Sequence, residues 1–181
     1  MKVWIFLNGS EVGFNNTLIL SIEMGKNVKS LAIIPARGGS KSIKDKNIKL
    51  FNGKPLIAWT IEQAIASNVT RVVVTTDSEE IREIALKYGA EVPFLRSKKL
   101  SNDAIGIEPV IINVLENLKK FEDYNPDCVA LLLPTSPFRT VDDIDTSLDM
   151  YRRDVVTSVV SVTCATANNN PHWMLRHNED D

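Results

Sequence analysis

From residue 31 onward, short β-branched and aliphatic runs alternate with stretches whose apolar residues recur at helical spacing, and this alternation constrains the fold most. Leu31-Ala32-Ile33-Ile34-Pro35 is apolar on every side chain, as expected of a strand covered on both faces. Leu56, Ile57, Trp59, Ile61, Ala64 and Ile65 follow a helical period across 55–67, with Pro55 at a favoured first-turn position. Val69–Thr75 reads as a second buried strand. Ser78, with Glu79 and Glu80 behind it, reads as the N-cap of a helix running to Tyr88 and stopped by Gly89. Glu91–Leu95 is expected as a short strand, Ile107–Lys120 as a helix and Pro126–Leu133 as a segment containing another strand. Val141–Tyr151 is expected as a helix opened by Asp142-Asp143, and Val155–Val162 as a last β-rich run. Strands separated by helices imply an α/β domain, a mainly parallel sheet with helices on both faces.

The 181 residues suit one domain with a substantial core. Net charge is −2, from 21 basic and 23 acidic residues, which argues against a nucleic-acid binder. No apolar run reaches the 18 residues of a membrane span. Two cysteines, Cys128 and Cys164, are too few for a disulfide framework or a cysteine-built zinc site. A reducing, cytoplasmic setting fits. The first 30 residues lie outside the alternation. Val3-Trp4-Ile5-Phe6-Leu7 is too short for a secretory core and is followed at once by polar residues. Residues 1–30 are therefore read as an N-terminal extension, with the functional domain spanning 31–181.

In open α/β sheets ligands bind beyond the carboxyl ends of the strands, so chemistry is sought there. The first strand end runs from Ala36 through Arg37-Gly38-Gly39-Ser40-Lys41 to Lys46-Asn47. Residues 37–49 carry five basic side chains and one acid, a local +4 within a chain of −2. Glycines expose backbone N–H groups, Ser40 adds a hydroxyl, and Arg37, Lys41 and Lys46 add positive charge, which together suit a polyphosphate. The spacing is neither that of a Walker A loop nor G-x-G-x-x-G. A solvated basic turn is the competing reading. The second strand end carries Thr75-Thr76-Asp77, where a turn aspartate is as good a reading as a ligand. The third offers Arg96 and the loop Leu100-Ser101-Asn102-Asp103. The fourth is Leu132-Leu133-Pro134-Thr135-Ser136-Pro137-Phe138-Arg139, two hydroxyls held between two prolines and followed by an arginine.

These four segments, in this order, resemble the cytidylyltransferases that activate sialic acid and its relatives, the legionaminic and pseudaminic acid enzymes included. The resemblance is carried by Ile34-Pro35-Ala36-Arg37-Gly38-Gly39-Ser40-Lys41 with Lys46-Asn47, by Val74-Thr75-Thr76-Asp77, and by the segments at 100–103 and 132–139. It implies a Rossmann-like nucleotidyltransferase domain that takes CTP, magnesium and a nonulosonic acid and releases pyrophosphate, working in the cytoplasm as a homodimer when complete. Carried over by position, Ala36, Arg37, Gly38, Ser40, Lys41, Lys46 and Asn47 would bind the nucleotide's phosphates. Arg37 and Lys46 would carry the catalytic charge stabilisation, Arg96 and Asp103 would lie by the cytidine, and Thr135 and Ser136 by the sugar acid. No general base is evident.

Two departures qualify the resemblance. Leu133 stands where the family commonly has glutamine, which bears on the choice of sugar. The chain also stops at Asp180-Asp181, before the family's late Asp-x-Asp metal pair, so the domain is expected to be incomplete at its C-terminus and the metal ligands are unassigned. Asp180 and Asp181 are read as a turn remnant rather than ligands. Cys128 and Trp59 are read as core. Cys164 has no neighbour that marks a nucleophile, and His172 and His177 are read as structural. Trp173 is read equally as core or as an interface aromatic. The competing functions are a nucleotide-binding or oligomerising fragment without catalysis, and a nucleotidyltransferase for another sugar acid.

Overall fold

The computed structural model describes residues 4–6, 28–40, 43–102, 105–153 and 156–161. Its main sheet has four strands: β1 (Trp4–Phe6), β2 (Ser30–Pro35), β5 (Arg71–Thr75) and β6 (Cys128–Leu131), in the spatial order β1-β6-β2-β5. β2 lies between β5 and β6 and is parallel to both, with Ile33 opposite Val73 on one side and Leu131 on the other. β1 joins β6 antiparallel, Ile5 opposite Ala130. A small hairpin, β3 (Leu50–Phe51) and β4 (Lys54–Pro55), leads into the helix α1 (Leu56–Ile65).

The pleat of β2 sorts the core into two layers. Ala32 and Ile34 face one way and pack with Val72, Val74, Ala130 and Leu132. That layer is covered by Ile57, Ile61 and Ala64 of α1, by Ile81 and Ala85 of α2 (Glu79–Lys87), and by Ile144 and Leu148 of α4 (Val141–Arg153). Leu31 and Ile33 face the other way and meet Ile111, Val114 and Leu118 of α3 (Ile107–Glu122). The sheet is thus mainly parallel with helices on both faces, as expected. Each large aliphatic side chain removed from water in these layers contributes about 1.5–3 kcal/mol.

The capping expectation for α2 holds: Ser78 Oγ accepts from the Ile81 N–H at 3.4 Å, and the helix ends at Lys87, just ahead of Gly89. Cys128 is buried, and burial pushes its thiol up to about 11. Its reading as an inert core thiol stands.

Three expectations need correction. Glu91–Leu95 is not a full strand. The Glu91 N–H and C=O reach Val72 and Val74 of β5, giving a single parallel bridge, after which the chain turns away and Arg96 N–H returns to the Thr76 carbonyl at 2.7 Å. Residues 156–161 form no strand either; Val160 is an isolated bridge position there. Trp59 is half-buried rather than core. Its Nε1–H donates to the Phe51 carbonyl at 2.9 Å, and the Lys54 ammonium stands 3.8 Å from its ring centroid. Trp59 therefore fastens the β3–β4 hairpin to α1, because its indole N–H takes a partner outside the core.

Candidate active site

β2 is where the chain reverses its direction of travel across the sheet. α1 carries it to β5 on one side and on one face, whereas α3, on the other face, leads to β6 on the other side. Such a switch opens a crevice at the carboxyl ends of the strands. A cavity of ≈ 600 Å³ lies there, against the segments that follow β2, β5 and β6 and the start of α3.

One wall is the loop after β2. Ala36 N–H extends the pairing to the Thr75 carbonyl at 3.0 Å, and the next turn is set by glycines. Gly38 N–H donates to Asp77 Oδ1 at 2.9 Å, and a Cβ at Gly38 would lie 3.2 Å from Ser78 Cβ, so any larger residue would press on the start of α2. Gly39 has φ +64°, which favours glycine. Farther on, the Ile48 and Lys49 N–H groups both return to the Asp45 carbonyl at 3.0 Å, closing a tight turn that presents Lys46 and Asn47. Asn47 is buried and joins the two ends of this wall. Its Nδ2 donates to the Arg37 carbonyl at 3.0 Å, while its own carbonyl accepts the Ile57 N–H at the start of α1.

The polar lining comprises Arg37, Ser40, Lys46, Asn47, Arg96, Asn102 and Thr135. Facing it are Leu100, Ile105, Ile107, Val110 and Leu133, an apolar wall beside a cationic one. Arg96 is buried to 6 % exposure, and its Nε–H donates to Ser101 Oγ at 3.1 Å. Burial lowers its pKa, the Asp77 carboxylate opposes that, and the Arg37 cation adds to it. Arg96 thus feels the charges of both Asp77 and Arg37. Among the described residues the lining is cationic and holds no carboxylate. Several cations and hydroxyls beside an apolar wall can hold a polyphosphate bearing a flat ring and stabilise charge that develops on phosphate oxygens.

The cavity brings together Arg37, Ser40, Lys46, Asn47, Arg96 and Thr135, drawn from three separate strand ends. Three expected residues stand elsewhere. Ala36 is buried in the core beneath the loop, Gly38 turns towards Asp77 and Ser78, and Ser136 uses its N–H to close a turn on the Leu133 carbonyl at 3.2 Å. Lys41 and Asp103 lie outside the described residues, as do Cys164, His172, Trp173, His177, Asp180 and Asp181. Sequence reasoning missed the part of the apolar wall formed by α3 and the loop before it (Leu100, Ile105, Ile107 and Val110), and it missed Ser101 as the partner of Arg96. Among the described residues no three His, Cys, Asp or Glu side chains gather as a metal site. The described residues do not by themselves fit the expected magnesium, and no step below runs through it.

Comparison with known proteins agrees with this geometry. The Cytidylyltransferase family model matches residues 31–180. A CMP-N,N'-diacetyllegionaminic acid synthase of Legionella pneumophila is 39% identical over 147 residues, which are 81% of this chain and 62% of that protein. A pseudaminic acid cytidylyltransferase of Campylobacter jejuni is 44% identical over 125 residues, 68% of this chain and 53% of the relative. An N-acylneuraminate cytidylyltransferase of Escherichia coli is 39% identical over 154 residues, 84% of this chain and 35% of the relative. The chain therefore spans about a third to three-fifths of the length of these relatives. In fold it is similar to a CMP:2-keto-3-deoxy-manno-octonic acid synthetase solved with CTP, at TM-score 0.58 and 24% identity over 70% of this chain and 48% of that one. With that fold, a basic loop closing on the switch point, and a family match running from β2 to the penultimate residue, the chain belongs to the cytidylyltransferase family.

Proposed function

We propose that the protein acts in transfer of a cytidylyl group from CTP to the anomeric hydroxyl of a nonulosonic acid. The observation that carries this is the cavity wall of Arg37, Ser40, Lys46 and Asn47 facing Arg96 and an apolar surface. In this reading the 37–47 loop grips the triphosphate, with Arg37 and Lys46 beside the phosphorus that is attacked. The base lies by Arg96 against the apolar wall, and the sugar acid approaches over Thr135. The anomeric oxygen forms a bond to the α-phosphorus, the bond to the bridging oxygen breaks, and pyrophosphate leaves with that electron pair. The hydroxyl proton passes to solvent. Fixed cations lower the barrier because charge grows on phosphate oxygens as the leaving group departs. The names of the relatives support nonulosonic acids as the acceptor class. A cytoplasmic homodimer is the assembly that goes with this reading. No helix among the described residues is long and apolar enough to cross a membrane.

The test supplies CTP, magnesium and, in turn, N-acetylneuraminic, legionaminic and pseudaminic acids, and follows pyrophosphate together with the CMP-sugar. Release with one of them is expected; release with none sinks the acceptor assignment. A second reading is nucleotide binding without turnover, and it rests on the described lining being cationic and polar with no carboxylate among its described residues. It would be supported by calorimetric CTP binding with no pyrophosphate.

A further inference from the structure

Arg139 presents a problem that the cavity alone does not explain. It is the largest fully buried side chain among the described residues, at 2 % exposure. Only its Nη2–H donates, to the Leu133 carbonyl at 3.2 Å, while Nε and Nη1 have no hydrogen-bond partner among the described residues. Burial pulls its pKa down to about 10, against a smaller opposing effect of the Asp143 carboxylate. That carboxylate is already engaged by the Thr140 N–H and hydroxyl at 2.7 and 2.8 Å. A buried, under-satisfied guanidinium is unfavourable for the fold, and an apolar side chain of the same volume is often as stable or more so. Its retention calls for a role other than stability.

The position of its one hydrogen bond supplies that role. Leu133, Pro134 and Thr135 line the cavity at the fourth strand end, and the turn from Leu133 to Arg139 holds them in place. That wall is tied at four points. Ser136 N–H and Arg139 Nη2–H both close on the Leu133 carbonyl, Arg139 N–H closes on Ser136, and Gln63 Nε2–H reaches across from α1 to the Pro137 carbonyl at 2.8 Å. The same α1 begins by binding the Asn47 carbonyl. One helix therefore fixes both walls, the phosphate-gripping loop at its start and the Thr135 turn two turns later. We infer that Arg139, assisted by Gln63, is a positioning residue that sets the Leu133–Thr135 wall at a fixed distance from the 37–47 loop, so that an acceptor over Thr135 meets the nucleotide in line. Near-attack geometry is sensitive to displacements of about 1 Å, which is the scale on which a released turn moves.

The kinetic part of this inference rests on the cytidylyl-transfer reading; the structural part does not. The experiment compares wild type, Arg139→Met and Arg139→Lys by amide hydrogen exchange at Ser136 and Arg139, CTP calorimetry and steady-state turnover. Expected for Arg139→Met are a melting temperature at or above wild type, a CTP affinity within about twofold, exchange at Ser136 at least tenfold faster and kcat at least tenfold lower. Arg139→Lys, which keeps a cation and a donor for the Leu133 carbonyl, should recover most of both losses. Unchanged exchange at Ser136 in a folded Arg139→Met protein overturns the inference whether or not turnover is seen. A wild type that binds CTP but never turns over counts against the functional reading alone, and the exchange data then decide this one. Should Arg139→Met fail to fold, Gln63→Met is expected to show the same faster exchange and lower kcat, and wild-type behaviour there overturns the inference.

Discussion

Asn47 is the residue at which the geometry makes the sharpest demand. Its amide nitrogen donates to the Arg37 carbonyl at 3.0 Å, and the side chain is buried. Asn47→Ala leaves that carbonyl without this donor, a loss of about 1–3 kcal/mol. At roughly 2–4 °C per kcal/mol for a domain of this size, the melting temperature should fall by about 2–12 °C. The same bond ties Arg37 to the turn that presents Lys46, so CTP binding should weaken together with stability. If about 1.4 kcal/mol of the loss falls on the bound state, affinity drops about tenfold. Asn47→Asp separates loss of the donor from loss of volume. It keeps the shape but turns a carboxylate oxygen towards a carbonyl oxygen within a loop meant for phosphate, so it should lose more affinity than alanine. Thermal melting and calorimetry with CTP measure both quantities. An Asn47→Asp protein that binds CTP as wild type does would refute the reading of this loop as the phosphate grip.

Three further outcomes follow from particular contacts. Lys46→Ala should lower turnover by at least a hundredfold with little change in melting temperature, because the turn around Lys46 is closed by backbone N–H groups that alanine retains; unchanged pyrophosphate release would remove Lys46 from the site. Gly38→Ala should cost about 1–3 kcal/mol, since its Cβ would stand 3.2 Å from Ser78 Cβ and the start of α2 must give by a few tenths of an ångström; a urea titration matching wild type would contradict that crowding. Burial holds the Cys128 thiol at about 11, above the 9.0 of an unburied thiol. Between those values the unfolded chain gives up a proton that the folded chain keeps, so stability should fall as pH rises from 9 to 11. In a Cys164→Ser background, Cys128→Ala should flatten that fall, and a slope identical to that of the parent would refute it.

Much of the architecture was legible in the chain because it depends on local chemistry. Continuous apolar runs such as Leu31–Ile34 need cover on both faces, and that requirement alone implies helices on both sides of a parallel sheet. Ser78 declares a helix start because its hydroxyl can take an otherwise unmet N–H, and the structure shows it doing so. The basic loop was legible as well, since its glycines and cations lie next to one another in sequence.

What remained hidden depended on contacts between distant residues. Glu91–Leu95 has strand composition, yet only Glu91 pairs with β5, because the chain then leaves to place Arg96 against Thr76. Trp59 has core spacing, but the hairpin before α1 offers its indole a carbonyl and leaves the ring half-exposed. By itself the sequence determined the α/β class and the family resemblance, and it pointed to a basic, glycine-rich loop at one strand end. Only the tertiary structure decided which candidate residues share one cavity, that an apolar wall from α3 faces them, and that Arg139 is buried behind the turn rather than exposed on it. The physical reason is range: capping, turn chemistry and periodicity act within a few residues, whereas a cavity wall and a buried charge exist only once distant strand ends have been brought together by the sheet.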